Sequence, residues 1–132
     1  MLLNSEPVSE DTGLLLLRVT TGGSMLFAHG LPKLMSFSER MDAFGDPIGL
    51  GPAFSLGLIT FAETVCAALV MLGLWTRIST LPLIIGMAVV VFISHGDEPF
   101  KKQELAVIYL MAFIALFFTG SGRFSLDRLS FR

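Results

Sequence analysis

"SLGLITFAETVCAALVMLGLW", residues 55–75, is an apolar run long enough to cross a bilayer, with one carboxylate, Glu63, near its middle. A spanning α-helix takes roughly 17–25 mostly apolar residues. A charge at that depth is costly, and it faces a partner, the protein interior or a wet cavity. The stretch therefore reads as a membrane helix with Glu63 turned inward, and the rest of the chain has to supply what Glu63 faces.

The flanking sequence extends this reading. The chain has 132 residues, 53% hydrophobic and 15% charged, with mean hydropathy +0.75. A soluble domain carries about 25% charged residues. Spans are expected at 13–31, 52–75, 78–94 and 103–119. The charge-free core of the last, Leu105 to Phe118, is short, so it spans with Gln103 and Glu104 inside the bundle or at the interface. A soluble helix needs a polar stripe, and "TLPLIIGMAVVVFIS", residues 80–94, has none. The fold expected is all-α: an integral membrane four-helix bundle, one transmembrane domain over 1–132. "AHGLPK" (28–33) and "SHGDEPFK" (94–101) close the first and third spans, and "GLWTR" and "GSGR" follow the second and fourth. This suggests two pseudo-repeated helical hairpins.

Composition also excludes functions. The net charge of −2 gives no footprint for a nucleic-acid partner. A single cysteine, Cys66, forms neither an internal disulfide nor a CxxC pair. His29 and His95 are far apart and lack zinc-ligand spacing, so no metal site is expected. The opening "MLLNSEPVSED" has acidic residues and no basic one, unlike a secretory signal, and reads as a short cytosolic lead-in. Arg77, Arg123, Arg128 and Arg132 fall at the end bearing the termini, and Lys33, Arg40, Lys101 and Lys102 at the other. Arg18 tips this balance toward both termini in the cytosol of a prokaryotic inner membrane. The tail "SGRFSLDRLSFR", residues 121–132, is amphipathic enough to lie along the interface.

Polar residues at depth are the candidate site. Glu63 lies about 16 Å along its helix from Pro52, and Arg18 about 9 Å into the first helix from the opposite end. An Arg18–Glu63 pair is thus within geometric reach, either as a structural ion pair or as a proton-accepting carboxylate beside a ligand; the third reading is a protonated Glu63 bonded to a backbone carbonyl. His29 and Lys33 are four apart on one helical face. With His95 and Glu104 they are expected near the same membrane surface, as a shared polar pocket or, for Lys33, as a snorkelling interfacial charge. Glu63 and His95 are the candidate proton donors, and Arg18, His29, Lys33 and Glu104 the candidate ligand-binding residues. "TTGGS", residues 20–24, is a small-residue patch that lets helices approach closely. Cys66, one turn from Glu63, either lines the same cavity or packs as a small hydrophobe.

These residues resemble a known family. "RVTTGGSMLFAHGLPKL", residues 18–34, is similar to the first helix of the DoxX family. Glu63 with "MLGLWTRIS", residues 71–79, resembles its second helix, and "GSGRFSLD", residues 120–127, its closing signature. The resemblance implies a small four-helix membrane protein of bacteria and archaea. Some relatives are described as subunits of thiosulfate:quinone oxidoreductase, or as partners of thiol and oxidative-stress enzymes. It also implies polar positions at Arg18, His29, Gly30, Lys33, Glu63, Arg77, Arg123 and Asp127. Arg77, Arg123 and Asp127 are expected to hold the helix ends together. The lack of a second thiol argues against disulfide chemistry by this chain alone.

Three functions follow as expectations. The first is a quinone-linked redox subunit, with a quinone as cofactor and electrons from a soluble or membrane redox partner. The second is a non-catalytic membrane anchor or scaffold for a soluble redox enzyme. The third is a small transporter or lipid-binding protein that works as a homo-oligomer.

Overall fold

The structure, a computed structural model, describes residues 2–41, 49–94 and 99–130. Among these, four helices are long and apolar enough to cross a membrane: α1 (Glu10–Met35), α3 (Pro52–Leu72), α4 (Thr76–Ile93) and α5 (Phe100–Thr119). Two short helices, α2 (Phe37–Arg40) and α6 (Leu126–Ser130), flank them. The all-α membrane bundle expected from the hydropathy is what the chain forms. His95 lies outside the described residues.

Local chemistry sets the helix ends. Ser9 caps α1, its hydroxyl accepting the Thr12 N–H at 3.2 Å, and Glu10 and Asp11 follow in the first turn. A hydroxyl cap and early acidic residues both favour a helix N-terminus. The helix therefore begins at Glu10, earlier than the apolar run. Pro52 opens α3 at a position where its missing N–H costs nothing. Gly73, left-handed at φ 73°, closes α3 while the Leu74 N–H reaches back to the Leu69 carbonyl at 2.9 Å. The span thus ends at Leu72 and not at Trp75. The fourth span gains a turn by starting at Phe100, and its 20 residues reach about 30 Å, a full hydrocarbon thickness.

The four long helices pack in sequence, α1 on α3, α3 on α4 and α4 on α5, with α5 closing back on α1. The inner faces of all four meet in one core that includes Met25, Ala67, Val70, Leu83, Met87, Phe113 and Leu116. Large exposed apolar side chains such as Phe27, Phe61, Ile85 and Phe118 point outward, as a lipid-facing surface requires.

The small-residue patch does what its composition suggests. A Cβ on Gly22 would stand 2.8 Å from the Ala67 carbonyl oxygen. One on Gly30 would collide with the Glu63 carbonyl. These two glycines let the backbones of α1 and α3 touch at two levels, and the lower contact sets α1 directly beside Glu63.

Three π-turns interrupt the α-helical ladder, at Leu26–Gly30 in α1, Ala62–Cys66 in α3 and Val90–Ser94 at the end of α4. A π-turn inserts one residue and rotates everything beyond it. In α1 the buried positions run Arg18, Gly22, Met25 and then Gly30. The last step is five residues, and the insertion is what keeps Gly30 against α3.

Candidate functional site

Glu63 sits in the π-turn of α3, only 3% exposed. Its partner is Lys33, whose Nζ lies 2.7 Å from Glu63 Oε2. This corrects the expected Arg18–Glu63 pair, and it corrects the reading of Lys33 as an interfacial charge. The physical reason is direction. Side chains on a helix lean toward its N-terminus. Lys33 therefore leans back into the bundle from the far end of α1, and Glu63 leans toward that same end along antiparallel α3. Arg18 leans the opposite way. The register set by Gly22 and Gly30 completes the mismatch, placing Arg18 level with the last turn of α3.

Arg18 has a different task. Only 2% exposed, it donates from Nη1 to the Ser121 carbonyl at 2.6 Å, from Nη2 to the Phe124 carbonyl at 2.7 Å and from Nε to the Met71 carbonyl at 3.2 Å. The tail after α5 is thus clasped onto the ends of α1 and α3. Asp127 extends the clasp, its two carboxylate oxygens accepting the Trp75 N–H at 2.6 Å and the Thr76 N–H at 3.0 Å. It thereby caps α4 from another segment of the chain and supports Trp75 in its left-handed conformation, φ 49°. Arg77 donates from Nε to the Phe117 carbonyl at 3.0 Å, and the Arg123 N–H donates to Asp11 at 2.9 Å. Arg77, Arg123 and Asp127 lie together at this end, and Arg18 joins them instead of Glu63.

At the other level, a cavity of about 240 Å³ opens beside the ion pair. His29, Lys33, Glu63, Lys102 and Tyr109 supply its polar wall, and Met25, Met87, Val90, Leu105 and Ala106 its apolar wall. The His29 and Tyr109 rings meet edge to face, centroids 5.7 Å apart, and Tyr109 stacks on Phe113 behind it. The Lys33–Glu63 contact has the distance of an ion pair but lacks hydrogen-bond alignment, so Glu63 Oε2 has no hydrogen-bond donor among the described residues. A buried carboxylate oxygen with spare acceptor capacity at a cavity wall is ready for a further donor.

Of the expected pocket, His29 and Lys33 come together with Glu63. Glu104 does not, because it lies on the exposed face of α5. The inward face of that helix runs through Lys102, Ala106 and Tyr109, and Glu104 is off its phase. Cys66 is buried in the core and is absent from the cavity wall, so the packing reading holds. Tyr109 and Lys102 were not anticipated. Tyr109 carried a signal nonetheless, as the sole tyrosine of the chain, in the middle of an apolar span. A phenol there wants a polar neighbour.

The family model described as DoxX matches residues 13–96, which contain Arg18, the cavity's α1 and α3 residues and the three π-turns. The chain is 30% identical over 123 residues to an uncharacterised membrane protein of Mycobacterium tuberculosis, covering 80% of this chain and 74% of the relative. It is 30% identical over 115 residues to an uncharacterised protein of Haemophilus influenzae, covering 82% of this chain and 84% of the relative. A further uncharacterised Haemophilus influenzae protein is 31% identical over 111 residues, covering 78% and 74%. No solved structure matches.

Proposed function

This chain belongs to the DoxX family, and from that premise we propose that it is a quinone-linked redox subunit of a prokaryotic cytoplasmic membrane, with both termini on the cytosolic side. The observation that carries the reading is the incompletely satisfied Lys33–Glu63 pair at the wall of a mixed polar and apolar cavity.

The residues fit a quinone head group. The cavity, about 240 Å³, is smaller than the roughly 300–1,000 Å³ of drug-sized sites. It suits a single substituted ring whose isoprenoid tail runs out between lipid-facing helices. Lys33 and His29 can donate to ring oxygens, and Tyr109 can donate or face the ring edge. Glu63 and His29 can hold and release protons at that wall. A bound quinone supplies a two-electron, two-proton acceptor, and a partner redox protein supplies the electrons. The chain's own contribution is binding, orientation and proton delivery.

The test is binding of a short-tailed ubiquinone analogue to the purified chain in nanodiscs, followed by calorimetry. Saturable binding that weakens at least tenfold in Glu63→Gln, with the thermal transition retained, supports the reading. Absence of saturable binding by the folded wild-type chain overturns it.

A further inference from the structure

The opposite end of the bundle holds a second, larger feature. An open groove of about 490 Å³ runs between the first turn of α4, the last turn of α5 and the tail. Three exposed arginines line it: Arg77, Arg123 and Arg128. Two carboxylates are present, but both are engaged by backbone. Asp127 receives the Trp75 and Thr76 N–H groups, and Asp11 receives that of Arg123. Buried Arg18 also interacts electrostatically with Asp127 from behind. The groove surface is therefore cationic on balance.

Two further observations indicate what the groove takes. Thr76 belongs to the groove wall, is 2% exposed, and its buried hydroxyl has no hydrogen-bond partner among the described residues. The groove also sits where the spans end, and exposed Trp75 and Ile78 line it. Tryptophan and basic side chains at that level are typical of the zone where lipid head groups meet water.

We propose that this groove binds the phosphodiester head group of an anionic phospholipid. Guanidinium forks match phosphate oxygens in shape and charge. Basic pockets between membrane helices at the bilayer surface hold anionic head groups by this means. The apolar rim gives the acyl chains a path into the bilayer, which a free phosphate ion would not use. The lipid would bridge α4, α5 and the tail, elements that the Arg77–Phe117 and Asp127–Trp75 bonds already join. The site is independent of the cavity around Glu63.

Trp75, the sole tryptophan, lines the groove and serves as the reporter. The full chain is placed in mixed micelles with brominated phosphatidylglycerol or brominated phosphatidylcholine, and quenching is followed against lipid mole fraction. Half-maximal quenching is expected at a several-fold lower fraction of phosphatidylglycerol. In Arg123→Gln/Arg128→Gln the two lipids should become equivalent while helicity is retained. If that variant does not fold, Arg128→Gln alone should reduce the preference, since the tail uses the backbone N–H of Arg128. Equal quenching by both lipids overturns the proposal, as does a preference that survives in a folded variant. Inorganic phosphate alone is the control: if it abolishes the lipid preference at millimolar concentration, the groove is a soluble-anion site and the lipid assignment falls.

Discussion

Lys33 and Glu63 form an ion pair, Nζ to Oε2 at 2.7 Å, between the end of α1 and the middle of α3, with their side chains 19% and 4% exposed. Each charge was taken out of water to make this contact. Its geometry leaves part of the carboxylate's hydrogen-bonding capacity unused. The pair thus holds two helices in register and presents a polar edge to the adjacent cavity.

Removing one member should cost more than removing both. Lys33→Met leaves a buried carboxylate without its cation, and breaking one side of a buried pair typically costs about 3–5 kcal/mol. The double variant Lys33→Met/Glu63→Gln should be more stable than either single charge deletion adds up to. A double-mutant cycle on thermal unfolding in detergent measures this. Strict additivity would mean that the two charges do not interact.

Gly30→Ala should disturb the same place through the backbone. The added methyl meets the Glu63 carbonyl, so α1 and α3 must separate. Overpacking of this kind costs about 1–3 kcal/mol. Quinone-analogue binding should fall with it, because Lys33 moves away from Glu63. An unchanged melting temperature in Gly30→Ala would contradict the close approach.

Arg18→Lys should not be conservative. One ammonium cannot reach three carbonyls that a planar fork serves at once. Each buried acceptor left bare costs about 1–3 kcal/mol. The tail after Thr119 should become accessible to added protease in Arg18→Lys while remaining protected in the wild type. Equal protection in the two would show that the clasp is dispensable.

Asp127→Ala tests the cap on α4. Loss of a capping carboxylate costs about 0.5–2 kcal/mol, and Asp127→Asn should recover only part of it, because its one amide oxygen can accept one of the two N–H groups while its NH2 faces the other. The melting temperatures of the two variants should separate in that order. Coincidence of the two would indicate that charge attraction to Arg18, and not the hydrogen bonds, is what Asp127 provides.

Tyr109→Phe probes the cavity without touching the ion pair. The fold should be almost unaffected, since the ring keeps its stacking on Phe113. A hydrogen bond to a ligand oxygen is worth about 0.5–1.5 kcal/mol, so quinone-analogue affinity should drop by up to about tenfold. An unaltered affinity would remove Tyr109 from the binding wall.

Hydropathy and spacing alone determined the number of spans, the membrane environment and the inward placement of Glu63. These properties are local: a run such as residues 80–94 has only a bilayer or a core to be buried in, and a carboxylate within residues 55–75 has only the interior to face. The small patch Thr20–Ser24 likewise announced a close helix approach. The partners of the charges were decided by tertiary structure. Depth arithmetic made Arg18 and Glu63 neighbours, but the register fixed by Gly22 and Gly30 put Arg18 beside Met71 and brought Lys33 to Glu63. The π-turns rotated the faces beyond them by one residue, which no uniform helical period predicts. The tail added contacts across the whole chain, Asp127 to Trp75 and Arg18 to Ser121. Burial follows from the composition of a segment, whereas pairing follows from where two separate segments cross. That crossing is set by contacts distributed over the entire bundle.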